Sequence, residues 1–219
     1  MDPGQVSLSS GGESCIRQIQ SWINTCTNNH EMCKLYRDKI PWRPTRLLDV
    51  HADPITYIQL ITSKEAVFEK DEGYLTLSHC WGAKGQPITL LASNLEALKQ
   101  GVELSALPKT FQNAVYVTRG LRYRYLWIDS LCIIQDDTRD WQQESMTMAD
   151  VYRNSSCTIA ASAASDSSKG MFYDRSTRNI ASPVYKFNDE KYIFLQMNDN
   201  NTLLSAPLNG RAWAFQGTS

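Results

Sequence analysis

The sequence predicts an α/β protein with a parallel sheet flanked by helices. The supporting observation is that β-prone segments alternate with helical segments along the chain. Helical patterns separate three short β-prone runs, which are Tyr74 to Ser78, Tyr125 to Asp129 and Cys157 to Ser162. Strands that alternate with helices in this way are typical of right-handed crossovers, which bring successive strands into one parallel sheet. We therefore expect one α/β domain preceded by an N-terminal helical extension.

The N-terminal part is predicted to be a tail followed by that extension. Residues 1–13 are rich in Gly and Ser and are expected to be disordered. From Ser14 to about Tyr36, apolar residues recur at spacings of three and four, which predicts an amphipathic helix. Within residues 14–72, Thr45 to Val50 and Tyr57 to Thr62 are candidates for short extended segments. The main domain is predicted to span residues 73–219.

Three helices are predicted between the strands of the main domain. Asn94 to Gln100 has helical composition, and Pro108 opens a stronger helix that ends near Gly120. Asp137 or Thr138 can cap the third helix. The apolar positions that support the second and third helices are Phe111, Ala114, Val115 and Thr118, and then Trp141, Met148, Ala149 and Tyr152.

Composition excludes several classes of protein. Lys and Arg number 22 against 23 Asp and Glu, so a net charge of −1 provides no basic field for nucleic acid or for an anionic membrane. No apolar run approaches the ~18 residues that a membrane helix needs, and the first residues lack the pattern of a secretory signal. Six Cys are too few for a disulfide framework in a chain of 219 residues. We expect a soluble, cytoplasmic protein with reduced thiols.

Polar residues follow each predicted strand, where open α/β sheets bind their ligands. They are Ser78 and His79, then Asp129 and Ser130, then Ser162, Ser165 and Asp166. Adjacent residues of a strand point to opposite faces, which weakens a Ser78–His79 catalytic dyad. Asp129 closes an apolar run, so it either caps a neighbouring loop or faces a polar cleft.

Other motifs are weaker. Gly82, Lys84 and Gly85 do not have the spacing of a phosphate-binding loop. Cys132 is interpreted as a buried structural thiol rather than a nucleophile, because a nucleophile needs a positioned base and a lowered pKa. The acidic residues that cross the start of the third helix are interpreted mainly as helix capping, and they are Asp136, Asp137, Asp140 and Glu144.

Cys26, His30 and Cys33 fall on one face of the predicted first helix and can supply three metal ligands. Structural zinc takes four ligands, and Cys15 or His51 are candidates for the fourth. Packing of this helix face on the core is the favoured interpretation, so no metal site is predicted. A metal-dependent hydrolase that uses this face is the weakest of the functional hypotheses.

The motifs of the chain, taken as a set, resemble the fungal heterokaryon-incompatibility (HET) domain in their order and spacing. The resemblance covers about Arg46 to Gln216, and the pattern of Trp22, Cys26, His30 and Cys33 resembles the segment that often precedes it. The motifs are Leu77 to Gly82, Leu107 to Gln112, Tyr125 to Asp136, Asp140-Trp141 with Glu144, Met148 to Tyr152, Thr158 to Ala161, and Gly170 to Phe172.

The resemblance implies a fungal protein of non-self recognition, whose HET domain triggers growth arrest or cell death when incompatible strains fuse. HET domains are similar to TIR domains, which have a flavodoxin-like parallel sheet. Some TIR domains cleave NAD at the nicotinamide–ribose bond through a glutamate. A carboxylate can stabilise the oxocarbenium character that develops at the ribose in this reaction.

The resemblance also places the end of the chain inside the domain. Arg211 to Gln216 resembles a family motif that would continue into the candidate glutamate, but Gly217-Thr218-Ser219 stands there instead. The chain is therefore expected to be a C-terminally truncated HET domain.

Two functional hypotheses follow. The favoured one is a signalling or interaction module that self-associates or binds a protein partner, without a certain cofactor. The alternative is a TIR-like NAD glycohydrolase with NAD as substrate, in which Asp129, or as second choice Glu144, is the catalytic acid. The residues assigned to the nucleotide site in this alternative are Ser78, His79, Trp81, Gly82, Ser130 and Trp213.

Overall fold

A computed structural model describes residues 9–31, 33, 42–69, 72–174, 184–187, 190–193 and 206–210. Within these residues, six strands form the main sheet, and five α-helices and two short 3₁₀ helices (Leu104–Ala106 and Pro207–Gly210) accompany it. A separate pair of strands follows. The helices are α1 (Glu13–Asn29), α2 (Leu95–Gln100), α3 (Lys109–Gly120), α4 (Asp129–Cys132) and α5 (Thr138–Arg153). The strands are β1 (Arg46–Asp49), β2 (Tyr57–Thr62), β3 (Tyr74–Ser78), β4 (Val102–Glu103), β5 (Tyr125–Ile128), β6 (Cys157–Ala160), β7 (Val184–Phe187) and β8 (Glu190–Ile193).

The main sheet is mixed, with strand order β4-β2-β1-β5-β3-β6. Strands β5, β3 and β6 are parallel, and β3 lies between the other two. Strand β1 is antiparallel to both β2 and β5, and β2 is antiparallel to β4. The prediction of an α/β fold is confirmed, whereas the prediction of a parallel sheet holds only for β5, β3 and β6.

The central strands are apolar because both faces of the sheet are covered. All four residues of β1 and of β5 are buried, as are the first four residues of β3. Continuous burial of this kind is expected when helices pack on both faces of a sheet. Strand β6 instead alternates between partly buried and exposed residues, and it lies at one edge of the described sheet.

Helices α3 and α5 differ in how well their core faces were predicted. In α3 the predicted positions Phe111, Ala114, Val115 and Thr118 are all buried. In α5 the N-cap is Asp137, one of the two predicted candidates, and it accepts hydrogen bonds from the backbone N–H groups of Arg139 and Asp140. However, Trp141 is 47% exposed, and the buried residues of α5 are Glu144 and Val151. Of the other predicted positions, Met148 and Tyr152 pack against the core, whereas Ala149 is exposed. Glu144 takes part of the inner face, because its carboxylate lies 3.8 Å from Arg46 of β1.

Helix α1 packs on the end of α3. Ile16 lies against Gly120, and the Gln20 side-chain amide donates to the Gly120 carbonyl at 2.8 Å. Trp22 is 63% exposed and does not join this contact. The helix ends at Asn29, before the predicted end near Tyr36, and His30 has extended backbone.

The predicted N-terminal extension also supplies two strands, because β1 and β2 lie in the main sheet. The proposed boundary at residues 72 and 73 stays a prediction, and most of the predicted disordered tail lies outside the described residues. No helix in the described ranges is long and apolar enough to cross a membrane.

Candidate functional site at the ends of the parallel strands

The loops that follow β3, β5 and β6 meet at one edge of the sheet. Leu77 pairs with Ile128, and Ser78 pairs with Ala160, so the three parallel strands end together. The strand ends near Ser78 and Asp129 therefore lie side by side at this edge.

Asp129 joins the loop after β3 to the start of α4. Its Oδ2 accepts a hydrogen bond from Trp81 Nε1 at 3.0 Å, and its Oδ1 accepts one from the backbone N–H of Ser130 at 2.7 Å. The side chain remains 18% exposed. Both alternatives considered for this carboxylate are thus partly realised, since Asp129 caps local donors and still reaches the surface.

His79 lies behind Asp129, 1% exposed. Its Nδ1 is 3.8 Å from Asp129 Oδ1, and its Nε2 is 3.0 Å from the side-chain nitrogen of Gln86. If the Gln86 amide donates to Nε2, the proton of a neutral imidazole lies on Nδ1, on the side of Asp129. The ring also makes an edge contact with Phe111 at 5.0 Å between centroids. His79 therefore lies beside the carboxylate, and it is too deeply buried to reach a substrate in solution.

Ser130 is fully buried, and its backbone carbonyl accepts from the N–H of Leu90 at 2.8 Å. Among the described residues, no hydrogen-bond partner is present for Ser130 Oγ or Gln86 Oε1. Gln86 was not predicted as a site residue, and only its position in the loop after β3 could have suggested it.

Gly82 brings the loop after β3 against the loop after β6. Its φ is +78°, and a Cβ at this position would lie 2.6 Å from Asp166 Cβ. Asp166 in turn accepts hydrogen bonds from the Ser168 backbone and hydroxyl, which lower the pKa of this carboxyl. Glycine is therefore required here for backbone conformation and close approach. Lys84, by contrast, is exposed.

Glu144 belongs to a different cluster. The guanidinium of Arg46 binds Asp140 Oδ1 at 2.7 Å and the Cys132 carbonyl at 2.7 Å, and it lies 3.8 Å from Glu144 Oε1. Burial raises the pKa of Glu144, while hydrogen bonding from Thr45 and the charge of Arg46 oppose the shift. Helix capping therefore explains Asp137 but not Asp140 or Glu144, because these two carboxylates pair with a cation from β1.

Two further predictions concern Cys132 and Trp213. Cys132 is fully buried, and burial raises the pKa of its thiol to about 12, which agrees with a structural thiol. Trp213 and the Arg211 to Gln216 motif lie outside the described residues.

The fold and this cluster define an α/β protein whose polar residues converge where open α/β sheets bind ligands. The family model of the heterokaryon incompatibility protein (HET) matches residues 74–217. The match covers more than half of the chain, and the chain therefore belongs to the HET family. No curated protein and no solved structure matches it.

Proposed function

We propose that this HET-family protein acts in fungal non-self recognition as a cytoplasmic signalling module, which triggers growth arrest or cell death through contacts with other protein chains. The supporting observation is that both oxygens of Asp129 accept hydrogen bonds inside the protein, from Trp81 and from the Ser130 backbone. A carboxylate engaged in this way serves to hold two loops together.

The second predicted acid is also engaged elsewhere. Glu144 is 3% exposed and faces Arg46. A carboxylate buried against a cation in this way cannot approach a ribose. Asp129 is therefore engaged in hydrogen bonds within the protein, and Glu144 is buried against a cation. Neither is an accessible carboxylate without structural partners.

A surface for protein contacts is available at the edge of the described sheet. Strand β6 has β3 on one side, and Thr158 and Ala160 are exposed. An edge strand presents backbone N–H and C=O groups that can pair with another chain. This supports self-association or binding of a partner strand as the way in which the module acts.

The alternative is a TIR-like NAD glycohydrolase. One observation favours it, because Asp129 keeps 18% of its side chain exposed at the edge where α/β sheets bind nucleotides. In this alternative Asp129 would stabilise the positive charge that develops on the ribose.

Asp129→Asn separates the two functions. Asparagine keeps one acceptor oxygen but loses the charge and the second acceptor, which costs about 0.5–1.5 kcal/mol of stability. Asp137→Asn is the matched control, since Asn caps a helix about as well as Asp. The full chain and both variants are expressed from an inducible promoter in a filamentous fungus, and nicotinamide release from NAD is measured with the purified proteins.

We expect growth arrest with the wild type and with both variants, and no nicotinamide release from any of them. Nicotinamide release that Asp129→Asn abolishes and Asp137→Asn preserves would establish the enzyme instead. Unimpaired growth of cells that contain the folded wild-type protein would contradict the signalling proposal.

A further inference from the structure

Three side chains of types that often bind metals meet at the C-terminal end of α1. They are far in sequence from the residues around Asp129 at the ends of the parallel strands, which we call the strand-end cluster. They are Cys26, His30 and Cys33, and their ligand atoms all lie within 4.8 Å of one another. The two cysteines are partly buried and His30 is exposed. The predicted packing of these residues on the core is therefore wrong for His30, and the group lies at the surface end of the helix.

The route of the chain explains how the three side chains meet. On a continuous helix, Cys26 and Cys33 would be separated by about 10 Å along the axis. Their sulfur atoms are instead 3.0 Å apart. Helix α1 ends at Asn29, and His30 adopts extended backbone while its N–H still donates to the Cys26 carbonyl at 3.2 Å. The break at His30 turns the chain so that Cys33 faces Cys26.

We propose that Cys26, His30 and Cys33 bind one zinc ion that stabilises the end of α1. Among the abundant divalent cations, zinc is the one that prefers thiolate and imidazole ligands. Around one tetrahedral zinc, the sulfur atoms would be ~3.8 Å apart and each sulfur ~3.5 Å from the imidazole nitrogen. To reach this geometry the sulfur atoms, now 3.0 Å apart, would separate by ~0.8 Å, and the sulfur–nitrogen distances, which are at most 4.8 Å, would shorten by up to ~1.3 Å.

Two simpler explanations fit less well. Packing as ordinary core thiols does not account for an exposed His30 that joins the group. A disulfide would need the sulfurs at ~2.05 Å, whereas both cysteines are free at 3.0 Å.

The fourth ligand is neither of the two residues that the sequence suggested. Cys15 lies eleven residues earlier on α1, about 16 Å away along the helix axis, and its thiol donates to the Ser9 carbonyl at 3.7 Å. His51 does not belong to the group. In structural zinc sites the fourth coordination position is taken by another protein ligand, and in catalytic sites it is taken by water. In either case the bound ion would stabilise the C-terminal end of α1.

The test uses the full chain, purified without chelator from zinc-supplemented cells and analysed for bound metal. We expect about one zinc ion per chain. Cys26→Ser and Cys33→Ser should lose the ion, and Cys15→Ser on the same helix is the matched control that should keep it. Because a ligand variant can fail to fold, cobalt is also added to the metal-free wild type, where thiolate-to-cobalt charge-transfer absorption is expected. Zinc should also raise the melting temperature of the wild type and slow alkylation of Cys26 and Cys33.

Three results would overturn the proposal. The first is a wild-type protein without bound zinc that shows no charge-transfer absorption with cobalt. The second is retention of zinc by both ligand variants. The third is a Cys26–Cys33 disulfide peptide in protein purified from a reducing cytoplasm. None of these results bears on the signalling role, since the cluster shares no residue with the strand-end loops.

Discussion

Arg46→Met should destabilise the protein strongly, because Arg46 is the cation of a buried cluster. The residue is 8% exposed, and its guanidinium binds Asp140 and the Cys132 carbonyl while it faces Glu144. The side chains of Asp140 and Glu144 are only 16% and 3% exposed. Methionine has a similar length, so the substitution removes the charge while leaving most of the packing volume filled.

The magnitude follows from what the substitution leaves behind. Removing one partner of a buried ion pair costs roughly 3–5 kcal/mol, because the other charge stays buried without compensation. Here Asp140 and the Cys132 carbonyl lose a hydrogen-bond donor, and Glu144 loses its neighbouring cation. Replacing the whole cluster by neutral groups should cost much less than this. Arg46→Met combined with Asp140→Asn and Glu144→Gln should therefore be more stable than Arg46→Met alone.

Urea denaturation of the full chain, followed by tryptophan fluorescence, measures both effects as free energies of unfolding. Arg153→Met is the matched control, since Arg153 and Asp150 form an exposed pair worth at most about 1 kcal/mol. A loss for Arg46→Met no larger than that of Arg153→Met would refute the assignment of a buried ion cluster. The same conclusion would follow if neutralising the two carboxylates lowered stability further.

Three further predictions test other buried groups. Burial raises the pKa of Glu144 above its ordinary value of 4.5, so the folded chain keeps this proton to a higher pH than the unfolded chain does. The free energy of unfolding therefore falls as the pH rises from about 4.5 through the pKa of the folded state. Glu144→Gln should remove this part of the pH dependence of the unfolding free energy, and an unchanged slope would contradict the assignment. Tyr74→Phe should cost about 1–3 kcal/mol in urea denaturation, because the buried hydroxyl donates to the Val151 carbonyl at 2.6 Å; an unchanged midpoint would exclude that bond. The thiol of Cys132, with a pKa raised to about 12, should react with iodoacetamide at pH 8 only after unfolding, and mass spectrometry that finds native labelling would show that the site opens.

The strand-end cluster was predictable as a location but not as a set of contacts. Parallel strands end at a common edge, so an Asp and a His that follow two such strands are expected to be neighbours. The bond from Trp81 Nε1 to Asp129 Oδ2 joins residues 48 positions apart. No spacing rule covers that separation. Gln86 is only seven residues from His79, but it lies in a loop, where no side-chain periodicity shows which residues meet.

The acidic residues of α5 show how a local rule can mislead. Carboxylates at a helix start usually complement the helix dipole, and Asp137 does so. Asp140 and Glu144 follow in the same run, but their partner Arg46 lies 94 residues from Asp140. The helical pattern could show which residues shared a face, and it could not show that a cation from β1 would lie opposite them.

Local patterns in the sequence were sufficient to predict the α/β class, helices α3 and α5, the cap at Asp137, and the three strands that become parallel. These features depend on side-chain periodicity and capping within a few residues. The antiparallel half of the sheet, the Arg46 cluster and the turn that brings Cys33 to Cys26 depended on the folded chain. Strand direction and side-chain partners are chosen by contacts between distant segments, such as Leu48 with Leu126, and an apolar run is compatible with either orientation until those segments meet.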